Sequence, residues 1–443
     1  MSYRMTKDLV KEGVSEVWRS GGAGDLALVR QLGMFHPIIG AKWVVKRYGV
    51  VIDEPGIKNG NPCVIRDGDI YRMYHTRKVS ATEPFHIVMR TSYDGKSWTS
   101  PVTVMTADMV NAAGYDITGV FQPSVLKENG TYYMFFAGDQ MQPWGVRRRQ
   151  IFLATSTDGV NFSGIRAVLT PRQNSMEEEC WHPFVAKFRG KYYMTYIGTD
   201  FRFPETNPMR FRLMLCESGD LETWTKLGII SMEGALGEWD GGKMFDHSII
   251  NINDSLLLIV YAAEATAGNE DMRIGLAYSF DMKHWFGRRM LLCRVLDSEA
   301  RYIADCSILY EGGKIKIWYE ANDGVKDPTT GQATVREIYG EAVMSDVHVM
   351  ELWINKTVPV AGLTTDDVDT KFEKVSFHLI SDQDGTGYVQ AYDEAAGDFK
   401  DVYSFSVSAD TLTVETPAFK AKRMRLRFVP SAEAMVSAWM VAE

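Results

Sequence analysis

Phe121-Gln122-Pro123-Ser124-Val125-Leu126, the turn Glu128-Asn129-Gly130, and Tyr132-Tyr133-Met134-Phe135-Phe136 decide the fold. Ile151-Phe152-Leu153-Ala154-Thr155-Ser156 follows and closes in Thr157-Asp158-Gly159-Val160-Asn161-Phe162. Short runs rich in aromatic and β-branched residues, bounded by Gly, Asn and Asp, predict antiparallel strands joined by hairpins. One such unit cannot bury both faces of its sheet, so it needs neighbours.

The neighbours lie along the chain. The opening recurs at Asn61-Pro62-Cys63-Val64, His182-Pro183-Phe184-Val185, His247-Ser248-Ile249-Ile250 and Cys306-Ser307-Ile308-Leu309. The spacing is roughly 60 residues, a period of the propeller kind. A second-strand core follows each opening: Tyr71-Arg72-Met73-Tyr74, Tyr192-Tyr193-Met194-Thr195, Leu257-Leu258-Ile259-Val260 and Lys316-Ile317-Trp318-Tyr319. Third strands end in Ser92-Tyr93-Asp94-Gly95 with Trp98, Ser156 to Gly159 with Phe162, Ser218-Gly219-Asp220 with Trp224, and Ser279-Phe280-Asp281 with Trp285. Three landmarks kept in register predict an all-β chain whose main body is a five-bladed β-propeller, each blade a four-stranded sheet about a central channel. In the Asp turns the carboxylate is expected to hold turn amides while the aromatic packs between sheets.

The expected organisation is an N-terminal arm over 1–47, the propeller over 48–350 and a β-sandwich over 351–443. Val10, Val14 and Val17-Trp18 suggest a short helix in the arm, broken at Gly21-Gly22-Ala23-Gly24, with a second helical piece over 25–32. No Lys-Ser/Thr pair closes the glycine cluster, so it is not a phosphate loop. Beyond 374 the pattern alternates in strand fashion, as in Met424-Arg425-Leu426-Arg427-Phe428-Val429.

A net charge of −9 argues against a nucleic-acid partner. The five cysteines lack metal spacing and read as reduced, mostly core thiols. No apolar run reaches membrane length and the N-terminus shows no signal region, so a soluble, cytoplasmic protein is expected, with no membrane partner. Nothing in the sequence fixes its oligomeric state.

The openings, the Tyr-Tyr-Met strands and the Ser-x-Asp-Gly turns together resemble the five-bladed furanosidase-type propellers shared by arabinanases, β-xylosidases, invertases and levansucrases. The resemblance covers about 48–350. It implies a glycoside hydrolase with an Asp before the first-repeat Pro as base or nucleophile, an Asp before the second-repeat Pro supporting it, and a third-repeat Glu as acid. This chain has Asn61, Gln122 and Trp181 at those places. An amide cannot ionise, so Asn61 is no carboxylate base and the family's two-carboxylate mechanism does not transfer.

The channel mouth offers another set instead. Asp246, His247, Asp305, His182 and Glu179 are the candidate catalytic residues, because a His–carboxylate pairing can move protons near neutral pH. Asn61, Gln122, Trp181, His75, Asp139 and Trp144 are candidate substrate contacts, the two tryptophans as stacking faces for a sugar ring. Asp200, Glu264 and Glu320 end second strands at a similar level. Arg147-Arg148-Arg149 reads either as an anion contact or as charge blunting a strand edge. The expected activity is glycosidase-like general acid–base chemistry on a small-molecule glycoside or oligosaccharide. The alternatives are a repurposed non-hydrolytic propeller enzyme acting on a small metabolite, or an inactive carbohydrate-binding propeller. No cofactor is called for, although a cation held in the channel by His247 and carboxylates stays open; Cys/His zinc spacing is absent.

Overall fold

The apolar runs quoted above are strands because aromatic and β-branched residues favour extended backbone and each run ends on residues that turn the chain back; the inner ones, such as Leu257 to Val260, are buried on both faces. The structure, a computed structural model, describes residues 43–443 except 231, 233, 236–237, 253, 255, 267–271, 295, 345–347, 366–367, 370–374, 410–412, 418–420, 422 and 443. The expected N-terminal helices and glycine break lie outside the described residues.

The chain begins with β1 (Trp43–Ile52). Then come β2 (Lys58–Asp67), β3 (Ile70–Lys78), β4 (His86–Ser92) and β5 (Val102–Met105), which form one antiparallel run. A short helix, α1 (Ala107–Ala112), capped by Thr106, leads to the next sheet. That sheet holds β6 (Val120–Glu128), β7 (Thr131–Met141), β8 (Arg147–Ser156) and β9 (Ser163–Leu169). The third holds β10 (Glu179–Phe188), β11 (Lys191–Thr199), β12 (Phe211–Ser218) and β13 (Thr225–Ile229). The fourth holds β14 (Lys243–Ile252), β15 (Leu256–Glu264), β16 (Met272–Ser279) and β17 (Trp285–Leu292). β18 (Tyr302–Glu311), β19 (Lys314–Lys326) and β20 (Ala333–Met344) follow. β1 pairs with β20, so an N-terminal strand completes the last group, and a single parallel bridge from Lys58 to Val335 joins that group to the first sheet.

The first strands of the repeats stand side by side in the order β2, β6, β10, β14, β18, and β18 returns to β2. At four of the five openings one small side chain ties a sheet to its neighbour. Cys63 Sγ accepts Val125 N–H, Ser124 Oγ accepts Val185 N–H, Ser248 Oγ accepts Ile308 N–H and Ser307 Oγ accepts Val64 N–H, at 3.2, 3.0, 3.2 and 2.8 Å. The last of these closes the ring.

The Asp turns work as their chemistry requires. Ser92 Oγ donates to Asp94 Oδ1 at 2.9 Å, and Asp94 Oδ1 accepts the N–H groups of Lys96 and Ser97, both at 2.8 Å. The same pattern recurs at Asp158, Asp220 and Asp281. Turn aromatics pack against the preceding sheet: Phe162 meets Tyr74, Trp224 meets Phe135 and Trp98 meets Trp318, with ring centroids 5.6–6.4 Å apart. Edge-on contacts at such distances add roughly 0.5–1.5 kcal/mol each beyond area burial. Four of the five cysteines are buried and all are free; burial pushes the Cys63 thiol up to about 11 and that of Cys180 to about 12.

The chain divides into two units at residues 343 and 344. The second unit, taken by itself, consists of β21 (His348–Val358), β22 (Leu363–Thr364), β23 (Val368–Asp369), β24 (Val375–Ser381), β25 (Gly385–Asp393), β26 (Asp398–Val407), β27 (Thr413–Glu415), β28 (Arg423–Pro430) and β29 (Ala434–Ala442). One sheet runs β21-β29-β24-β27 and the other β22-β28-β25-β26, with β23 on β28. Phe377 and Leu379 from the first sheet share a buried core with Val389, Phe405, Leu426 and Phe428 from the second. Among the described residues, no helix is long and apolar enough to cross a membrane.

Candidate active site

Each first strand slips register against its partner at the opening, between Gly60 and Cys63, Phe121 and Ser124, Trp181 and Phe184, Met244 and His247, and Ala304 and Cys306. A bulge of this kind re-aims a side chain. At four of the five, the residue in the bulge takes a left-handed backbone: Asn61 (φ 54°), Gln122 (φ 59°), His182 (φ 49°) and Asp305 (φ 38°). Non-glycine residues rarely adopt it, and a surrounding that imposes it on four equivalent positions is where strain and function coincide. Proline follows in three repeats because the bulge leaves its missing N–H without a ladder partner to disappoint.

The bulges converge. Asn61, Gln122, Phe184, Asp246, His247 and Asp305 line one small cavity to which all five openings contribute. Asn61 Nδ2 spans two carboxylates, donating to Asp246 Oδ2 at 3.3 Å and to Asp305 Oδ2 in close contact. An amide NH2 has two hydrogens and here has two acceptors. His182 Nδ1 abuts Asp246 Oδ1. Gln122 joins His182 on its other side, its Nε2 2.9 Å from His182 Nε2 and its Oε1 accepting His182 N–H at 3.1 Å. Gln122 is itself held by its own N–H, which donates to Thr76 Oγ1 at 2.9 Å. The ligand atoms of His182, Asp246 and Asp305 all lie within 4.8 Å of one another, the convergence a cation would need.

Burial dominates the electrostatics. Burial, then the charge of Glu320, pushes the Asp246 carboxyl well above its usual range, against the opposing pull of the Asn61 amide and Arg149. Burial, then the charge of Arg149, holds His182 well below its usual value. Glu320 Oε2 accepts the Asn61 backbone N–H at 3.2 Å, and burial lifts this carboxyl to about 7. Glu337 stands directly opposite Glu320 on β20, is fully buried, and has no hydrogen bond on either oxygen among the described residues; burial and the Glu320 charge hold it well above the carboxylate range.

The other residues singled out in the sequence are placed as follows. His247 lines the cavity, yet its ring is engaged away from the carboxylates, with Nε2 2.6 Å from Thr195 Oγ1 and Nδ1 3.3 Å from the Phe245 carbonyl. Glu179 lies 4.0 Å from Arg149, and burial raises its carboxyl against that charge. Trp181 is buried beside His182, donates Nε1–H to Thr199 Oγ1 at 2.8 Å, and carries the Arg149 guanidinium 4.3 Å over its ring. His75 is fully buried and accepts Arg90 Nε–H at 3.2 Å, outside the cavity. Asp139 caps the N–H groups of Thr118 and Gly119 at 2.8 and 2.9 Å. Trp144 is half-buried in the loop after β7 and does not line the cavity. Of the arginine run, Arg147 pairs with Asp116 and Arg148 with Glu178, leaving Arg149 as the one over Trp181. Glu337 escaped the sequence reading because a lone Glu in an alternating strand looks like a solvated position.

No family model matches the chain. A 1,2-beta-oligomannan phosphorylase of Thermoanaerobacter sp. (strain X514) is 24% identical over 184 residues, 40% of this chain and 55% of that protein, so the match spans about half the relative's length. Sucrose-6-phosphate hydrolase from Lactobacillus gasseri superposes with a TM-score of 0.51 at 11% identity, over 96% of this chain and 97% of its own. A GH32 beta-fructofuranosidase of Bombyx mori gives 0.50 at 11% identity, over 90% and 94%. A thermostable family-43 glycoside hydrolase gives 0.50 at 15% identity, over 66% and 91%. The structural neighbours are thus furanosidase-type propeller glycoside hydrolases, and the chain shares their fold.

Proposed function

We propose that this chain is a carbohydrate-active enzyme that cleaves a glycosidic bond in a small glycoside or oligosaccharide, using Asp246 and Asp305 as its carboxylate pair with His182 as their proton partner. The observation that carries the reading is the Asn61 amide, which holds both carboxylates side by side in a cavity built from all five openings. The ring order of the first strands and the closing role of β1 support a five-bladed propeller as the body, and the shared core of the two C-terminal sheets supports a β-sandwich for the rest. Carboxylate oxygens within 4.8 Å suit the closer spacing of retaining glycosidases, roughly 5 Å between carboxyl groups, better than the wider inverting one. Burial that outweighs the pull of Arg149 suits keeping the Asp246 carboxyl protonated at neutral pH, as a general acid requires.

A second reading is phosphorolysis. Arg149 presents a guanidinium above Trp181 at the edge of the site, with Arg148 and Arg210 near enough to bias the Glu179 carboxyl, and such a group suits an oxyanion. The distant relative whose name is a phosphorylase favours keeping it.

The test is a mass-spectrometric product screen of the purified full chain. Aryl furanosides and pyranosides, sucrose-type sugars and β-1,2-linked mannosides are each incubated with and without inorganic phosphate. Free sugar signals hydrolysis, and sugar phosphate signals phosphorolysis. Loss of turnover in Asp246→Asn and Asp305→Asn supports the assignment. Turnover surviving both substitutions defeats it, and silence across the panel with thermal stabilisation by a sugar leaves a binding protein.

A further inference from the structure

Gln122 occupies the position where the resembled enzymes carry a supporting Asp, and its amide is spoken for by a single neighbour. The backbone N–H of His182 can only donate. It lies 3.1 Å from one end of the Gln122 amide, so that end is the oxygen. The other end is therefore NH2, and it lies 2.9 Å from His182 Nε2. An NH2 group offers hydrogens only, so His182 Nε2 must present its lone pair. A neutral imidazole with an accepting Nε2 carries its proton on Nδ1. The neighbour of Nδ1 is Asp246 Oδ1, a carboxylate oxygen placed to take that proton. Flipping the amide would set NH2 against the backbone N–H and is excluded by the same argument.

The lever is fixed at its far end as well. Gln122 is in the left-handed region and its own N–H donates to the buried Thr76 hydroxyl at 2.9 Å. Thr76, Gln122, His182, Asp246, Asn61 and Asp305 thus form one run of polar contacts that crosses the ring of repeats.

We propose that Gln122 is a positioning residue that locks His182 in its Nδ1–H tautomer, so that His182 donates to Asp246. This rests on the function read above for Asp246 and refines it, assigning Gln122 to the histidine and not to substrate. It also sets the site against a metal at this point, because a protonated Nδ1 has no lone pair for a cation.

The experiment is long-range 1H–15N correlation NMR of the histidine side chains in the full 15N-labelled chain at neutral pH. His182→Gln identifies the resonance. The wild type is expected to show the Nδ1–H pattern for His182. In Gln122→Glu the new carboxylate accepts from Nε2, and the resonance is expected to move to the Nε2–H or doubly protonated pattern. Gln122→Met, which keeps the bulk without the amide, is expected to give a mixture and stands in if the Glu variant does not fold. An Nε2–H pattern in the wild type, or an unchanged pattern in both variants, overturns the proposal. Displacement of the His182 signal by added Zn2+ or Ca2+ overturns it too. If the screen finds a substrate, Gln122→Met should lower kcat with KM nearly unchanged; a raised KM with an unmoved tautomer means that Gln122 binds substrate. The NMR result needs no turnover, so a silent screen with the Nδ1–H pattern intact defeats the enzymatic reading alone.

Discussion

Asn61→Asp restores the carboxylate that the resembled hydrolases carry at this position, and the structure says it should harm this protein. The wild-type amide donates to Asp246 at 3.3 Å and to Asp305, while its backbone N–H holds Glu320. An Asp there removes both donors and brings a third carboxylate against two others. Two unit charges at that separation repel by about 5 kcal/mol at an effective dielectric of 20, so protonation is the cheaper escape. Protonating a carboxyl of ordinary pKa 3.9 at pH 7 costs about 4 kcal/mol, which sets the ceiling. The new group's folded pKa is raised above its unfolded value. Its penalty is therefore nearly absent below about pH 4 and grows as pH rises through neutrality. At low pH the remaining loss is one hydrogen bond, about 1 kcal/mol. Denaturant unfolding of wild type and variant at pH 4 and pH 7 reads the difference, expected to widen by about 3 kcal/mol. A gap that stays flat with pH refutes the packing of three carboxylates, and hydrolytic turnover gained by Asn61→Asp refutes the placement of the chemistry on Asp246 and Asp305.

Three further outcomes are expected. Arg47 on β1 donates to the fully buried Glu299 and to Tyr319 Oη, both at 3.1 Å, and Glu299 keeps the Tyr319 hydroxyl and the Leu296 N–H when Arg47 is replaced; Arg47→Met therefore removes one charge-assisted bond, and unfolding measurements should show a loss of about 2 kcal/mol. Burial depresses His247 to about 4, so its contribution is present above pH 6.5 and lost as pH falls towards 4; melting temperatures of His247→Gln should change less over that window than those of the wild type. Asp139→Ala should cost about 1–2 kcal/mol through its two capped amides and leave any turnover intact, a loss of turnover being the result that returns Asp139 to the site.

Much of the architecture was legible from local signals. Alternation of period two, hairpin glycines and the Ser-x-Asp turns act within a few residues, and the Asp94, Asp158, Asp220 and Asp281 turns carry the hydrogen bonds their sequence implied. The sequence also brought forward the opening residues as a class, because equivalent positions of a repeat share a level on its sheet. It could not rank them. His247 and His182 look alike as residues beside an opening, yet one ring faces Thr195 and the other Asp246, since a bulge decides which way each side chain points. His75 and Asp139 end second strands at a similar level, but one is enclosed and the other caps a loop.

What the chain by itself determined is the set of strands, their repeat and the loss of the usual carboxylates at Asn61, Gln122 and Trp181. Only the closed ring decided the site. Asn61 meets Asp246 and Asp305 across 185 and 244 residues, and Glu337 comes to stand against Glu320 only because β20 lies beside β19. Hydrogen-bond direction is fixed by the partner and not by the residue type, so the roles of an Asn, a Gln and a His among two carboxylates appear only when all of them stand within reach of one another.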